Sequence, residues 1–72
     1  MKNLIILGAG GTAFDLVDIA VAMNKKKKIW RILGFLDDNP NLKGKKIYGY
    51  PVLGSITDSK KYSDAFFVSS IG

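Results

Sequence analysis

Gly8, Gly10 and Ala13 give the spacing G-x-G-x-x-A, within the run Gly8-Ala9-Gly10-Gly11-Thr12-Ala13. Such a run suits a diphosphate. The first glycine permits a tight turn, the second lets backbone approach phosphate closely, and the final small residue packs a helix against a sheet. Free N–H groups at the helix start, here those of Gly11 and Thr12, would then face the anion with the helix dipole behind them. The alternative is a glycine turn that only joins a strand to a helix. Asp37 and Asp38 follow Ala13 by 24 and 25 residues, near the place where a strand-end carboxylate accepts hydrogen bonds from ribose hydroxyls. They also read as an Asp-Asp-Asn-Pro turn whose carboxylates cap backbone N–H groups and stay solvated. The readings are compatible, since one carboxylate can face a ligand while its neighbour holds the turn.

Little else in the sequence carries chemistry. There is no cysteine, no histidine and no glutamate, so six aspartates are the only side-chain carboxylates. That removes thiolate metal sites and the commonest general base, and no catalytic or metal-binding residue is assigned to this chain. Ser69 and Ser70 have no partner base, which argues against a nucleophile. Lys25 to Lys28 supply four of the eleven basic residues and read as a solvated helix terminus rather than a nucleic-acid site. Trp30, Phe35, Phe66 and Phe67 fall in buried-strand patterns and are expected in the core, while Tyr48 and Tyr50 read as edge-strand packing or, alternatively, a stacking surface for a base.

The elements that must position these residues are visible as well. Leu4-Ile5-Ile6-Leu7 is a short apolar run ended by glycine, the pattern of a strand covered on both faces of a parallel sheet. Ala13, Leu16, Val17 and Ala20 then repeat at helical spacing, predicting an amphipathic helix over roughly residues 11 to 24. Residues 29 to 36 predict a second strand, 45 to 53 a broken edge hairpin, 56 to 62 a short helical turn and 65 to 68 a third buried strand. This order predicts an α/β class, a truncated Rossmann-like domain with a small parallel sheet and flanking helices. The first strand is expected in the middle, between the second strand and the last, with the ligand crevice at the carboxyl ends of the first and last strands.

Seventy-two residues make one domain at most, with a thin core. Residues 1–72 are read as a single domain and as a piece of a longer protein, because the chain stops at the tip of a core strand. No segment approaches the roughly 20 apolar residues of a membrane span, nor the roughly 7 to 15 of a signal peptide. The default compartment is the cytoplasm, with neither membrane nor nucleic acid as a partner.

Four segments together resemble one family. They are Leu4-Ile5-Ile6-Leu7-Gly8-Ala9-Gly10-Gly11, Gly34-Phe35-Leu36-Asp37-Asp38-Asn39, Gly49-Tyr50-Pro51-Val52-Leu53-Gly54 and the closing Ser70-Ile71-Gly72. In order and spacing they are similar to the N-terminal domain of sialic acid O-acetyltransferases and nucleotide-sugar N-acetyltransferases of the NeuD/PglD type. The resemblance implies a domain that binds the uridine diphosphate sugar to be acylated. A following left-handed β-helix of hexapeptide repeats would hold acetyl-CoA, assemble a homotrimer and supply the catalytic histidine. It further implies phosphate contacts near Gly8, Gly10, Gly11 and Thr12, uridine contacts from Asp37 or Asp38, and contacts from Ile71 and Gly72. One departure is Thr12, which stands where the family commonly has histidine. Two other readings satisfy the same residues: an NAD-binding fragment of an oxidoreductase, and a non-catalytic ligand-sensing or assembly module.

Overall fold

Parallel strands need crossover connections, and this chain supplies its first one with a helix whose small residues allow close approach to the sheet. The computed structural model describes residues 1–70. Strand β1 (Lys2–Leu7) leads through the glycine turn into helix α1 (Ala13–Lys26), and the chain returns as strand β2 (Trp30–Leu36). Strands β3 (Lys46–Ile47) and β4 (Tyr50–Gly54) form an antiparallel hairpin, and β5 (Phe66–Ser69) ends the sheet. Two 3₁₀ turns, Pro40–Leu42 and Ile56–Lys61, fill the connections. The strand order is β3-β4-β2-β1-β5, with β1 parallel to both β2 and β5 and β2 parallel to β4. The expected α/β class and the place of β1 between β2 and β5 are what the structure has.

The helix starts at Ala13, two residues later than the periodicity suggested, because Gly11 and Thr12 belong to the turn before it. Ala13, Val17 and Ala20 are buried, so the expected inner face is the one used, with Leu16 half-buried beside them. Ala13 and Val17 meet Ile6, Phe35 and Val52 across the sheet face, and Leu16 packs against this cluster. Phe35, Ile5, Ile6 and Leu36 are fully buried, and each is worth about 1.5–3 kcal/mol of apolar transfer. The α1 to β2 connection is short, and Asn24 secures it. Its Oδ1 accepts from the N–H groups of Ile29 (3.0 Å) and Trp30 (2.9 Å), and its Nδ2 donates to the Trp30 carbonyl (2.8 Å). One side chain thus satisfies backbone groups that the turn would leave open.

The aromatics depart from expectation at β5. Phe35 is core, but Phe66 and Phe67 are 51% and 39% exposed. The reason is position: β5 is an edge strand with β1 as its one neighbour, and α1 packs over β2 rather than over β5. An apolar groove remains between α1 and β5, lined by Leu16, Ile19, Met23, Trp30, Phe66 and Val68. Trp30 meets Phe66 edge to face at 5.8 Å, and the Lys2 ammonium lies over the Phe66 ring at 5.4 Å. The lysine run Lys25 to Lys28 is exposed, as a solvated helix terminus should be.

The sheet carries a bulge between β1 and β2, where Leu4 faces Ile32 and Ile5 faces Gly34. Gly34 has φ +148°, and a Cβ there would run into the Pro51 carbonyl of β4. Glycine is therefore required by both backbone conformation and the closeness of the neighbouring strand. Gly34→Ala is expected to destabilise the fold by about 2 kcal/mol or more, measured as a lower urea midpoint. A variant as stable as the wild type would contradict this account of the bulge.

Candidate functional site

The carboxyl ends of β1, β2, β4 and β5 lie along one rim, and the glycine turn leaves β1 there. Gly8 is buried and has φ +92°, a conformation that favours glycine, and its N–H donates to the Leu36 carbonyl of β2 at 2.7 Å. Gly10 and Gly11 differ from it. Neither has positive φ, and a Cβ on either would meet nothing within 4 Å. Neither backbone strain nor internal crowding accounts for glycine at these two positions. Both are exposed at the rim, and among the described residues the N–H groups of Gly10, Gly11 and Thr12 have no hydrogen-bond acceptor. What the turn offers is a cluster of unpaired donors at the start of a 14-residue helix, with open space in front.

The two strand-end aspartates reach in opposite directions. Asp37 Oδ2 accepts from the Ala9 N–H at 2.8 Å, and its Oδ1 accepts from the Asn39 N–H at 2.8 Å. Asp38 Oδ1 accepts from the Ile56 N–H at 2.9 Å, where the second 3₁₀ turn begins. Each carboxylate caps backbone, so the turn reading is realised for both. Asp37 spends one bond on each oxygen, whereas Asp38 is exposed and its Oδ2 has no partner among the described residues. Beside them lies a polar pocket of about 200 Å³ lined by Asp37, Asp38, Asn39, Lys43, Ser55 and Asp58. Asp58 accepts from the Ser55 N–H at 3.0 Å and pairs with Lys61 at 3.3 Å. Among the described residues no cluster has the make-up of a metal site.

Thr12 is committed as well. Its hydroxyl donates to the Ser70 carbonyl at 2.7 Å, which ties the helix start to the end of β5. Only its N–H is left for a ligand. Ser70 is a site residue that sequence does not mark as one: it belongs to the closing segment of the family resemblance, and without a partner base its hydroxyl suggests no role. Its N–H donates to the Leu7 carbonyl at 2.9 Å, and its hydroxyl lies 2.8 Å from the Gly8 carbonyl and 3.1 Å from that of Leu7. The signal available in sequence was a small hydroxyl residue at the tip of the strand expected beside β1. The structure thus brings together Gly8, Gly10, Gly11, Thr12 and Asp37, and places Asp38 at the adjoining pocket. Ile71 and Gly72 lie outside the described residues.

The Ala9 N–H, and after it the Asn39 N–H, hold the Asp37 carboxyl below its ordinary range, against a smaller opposing effect of burial. A carboxyl lowered in the fold adds stability that is complete above its unfolded value of about 3.9 and is lost as pH falls through the folded value. Bonds from Ser55 and Lys61 lower the Asp58 carboxyl too, so its contribution is also lost in acid. Asp37→Asn is expected to cost about 1 kcal/mol at neutral pH, at the low end for a charge-assisted bond because the site is half-exposed. It should also flatten part of the stability loss as pH falls below about 4, read from urea midpoints. An unchanged acid slope in the variant would contradict the assignment of that loss to Asp37.

No curated protein matches the chain. Among the described residues no helix is long and apolar enough to cross a membrane. The family model described as the PglD N-terminal domain matches residues 3–72, and with nearly its whole length covered the chain belongs to that family.

Proposed function

We propose that this chain binds a nucleotide sugar, with the diphosphate on the glycine turn and the nucleoside over the ends of β2 and β4. The observation that carries the reading is the pair Gly10 and Gly11. Both have ordinary φ and none of the described residues crowds them, so the absence of side chains there serves a molecule outside the chain. The free N–H groups of Gly10, Gly11 and Thr12 supply donors for phosphate oxygens, and α1 places its positive end behind them. Asp38, with an open carboxylate oxygen beside the polar pocket, is the residue for a ribose or base donor, and Ile71 and Gly72 complete the expected contacts. Membership of the PglD N-terminal family supports a uridine diphosphate sugar as the ligand.

In this reading the chain is the substrate-binding domain of an acetyl-CoA-dependent sugar O- or N-acetyltransferase. With no histidine in its sequence, it supplies binding and orientation rather than the transfer itself. Acetyl-CoA, the general base and trimer assembly would belong to a β-helix of hexapeptide repeats elsewhere in the protein. A gene whose reading frame contains no such repeats would sink the acetyltransferase part of the proposal.

Calorimetric titration with UDP, UDP-N-acetyl sugars and NADH tests the binding. Saturation by the uridine ligands is expected, with NADH weaker, and Gly10→Val should lower uridine-ligand affinity at least tenfold. The same variant should fold within about 1 kcal/mol of the wild type, because its side chain enters open space. Equal affinity in Gly10→Val would remove the turn from the site, and preference for NADH would favour a dinucleotide domain.

A further inference from the structure

The carbonyl of Gly8 and the N–H of Ala9 are the two ends of one peptide plane. Asp37 Oδ2, from the end of β2, takes the N–H at 2.8 Å. Ser70 Oγ, from the end of β5, reaches the carbonyl at 2.8 Å. The plane is gripped from the strands on both sides of β1. Gly8 puts little restraint on its own second torsion, so the plane is held by these bonds and by the φ that Ala9, an L residue, must keep. Tilting of the plane within that range would re-aim the groups that follow, Gly10, Gly11 and Thr12. Ser70 holds the other end of the turn too, because its carbonyl accepts the Thr12 hydroxyl at 2.7 Å.

We infer that Ser70 is a positioning residue: through the Gly8 carbonyl, opposite Asp37, it locks the Gly8–Ala9 plane and keeps the turn in its anion-accepting shape. The inference rests on the diphosphate reading above and assigns no ligand contact to the Ser70 hydroxyl. Its hydroxyl carries one proton, which the shorter geometry directs to Gly8 with Leu7 at 3.1 Å as the lesser acceptor. Preorganisation of this kind raises affinity by the factor by which it enriches the competent conformation.

The test compares Ser70→Ala, which loses the hydroxyl but keeps the backbone bonds to Leu7 and Thr12, with Ser70→Thr, which keeps the hydroxyl. UDP affinity and the hydrogen-exchange rate of the Ala9 amide are measured on each, with thermal midpoints alongside. In Ser70→Ala, UDP affinity should fall about tenfold, as when the competent conformation drops to a tenth of the population. The Ala9 amide should exchange faster, the midpoint should move by no more than a few degrees, and Ser70→Thr should restore both readouts. Affinity and exchange must change together. Either one moving alone, or a threonine as defective as alanine, overturns the inference. If the wild type takes up no UDP, the diphosphate reading fails, and Ala9 exchange in Ser70→Ala decides the lock by itself: faster upholds it, unchanged overturns it. Should Ser70→Ala not fold, Asp37→Ala and the double variant Asp37→Ala/Ser70→Thr replace it. Asp37→Ala removes the acceptor of the Ala9 N–H, frees that end of the plane and should reproduce the loss of affinity, and the added threonine should cost nothing more. Full affinity in Asp37→Ala, or a further loss in the double variant, overturns the inference.

Discussion

Everything at the rim depends on how the chain leaves β1. Strand β1 must end in a turn that reverses its direction onto one sheet face, and at Gly8 the backbone does so with a positive φ. A turn of that shape is soft unless its polar groups are held. Here the holding groups come from the flanking strands: Gly8 N–H on the Leu36 carbonyl, Ala9 N–H on Asp37, Gly8 carbonyl on Ser70, and the Thr12 hydroxyl on the Ser70 carbonyl. With the first part of the turn so occupied, the next three N–H groups are the ones left to face outward. Parallel strand order matters for this reason. It brings the ends of β2 and β5 to either side of β1, where alternating direction would have put one of them at the opposite edge.

The same rim explains why aspartates end β2. Asp37 points to the turn after β1 and Asp38 to the turn after β4, so two adjacent residues anchor loops on both sides of their strand. Both lie just past the last residue of β2, and their carboxylates take partners on opposite sides of that strand. The local chemistry is acidic, but it is spent on backbone N–H groups rather than gathered around a cation. The asymmetry of what remains, an open oxygen on Asp38 and none without a bond on Asp37, separates a structural carboxylate from one available to a ligand.

Much of this could be read in the sequence, because it is encoded locally. The apolar run Leu4 to Leu7, the glycine turn and the spacing of Ala13, Val17 and Ala20 each carry their own period or conformational demand, and the structure follows them. What sequence did not disclose depends on distant contacts. Ser70 acts on Gly8 across 62 positions, and a serine at a strand tip has no pattern that announces such a bond. Gly34 is glycine because the Pro51 carbonyl of β4 lies against it, a contact between strands that no local pattern announces. Phe66 and Phe67 look like core by composition, yet an edge strand beside a single, offset helix leaves them largely exposed. Asp37 and Asp38 looked interchangeable, and only their partners tell them apart.

The central claim is that the free N–H groups after the Gly8–Ala9 plane take the diphosphate. An amide-resolved NMR titration of the labelled chain with UDP addresses it directly. The largest shifts are predicted at Gly10, Gly11 and Thr12, with smaller ones at Asp38 and around the adjoining pocket. Shifts concentrated at the basic end of the sheet, around Lys2, Lys27 and Lys28, with the glycine turn unmoved, would contradict the account.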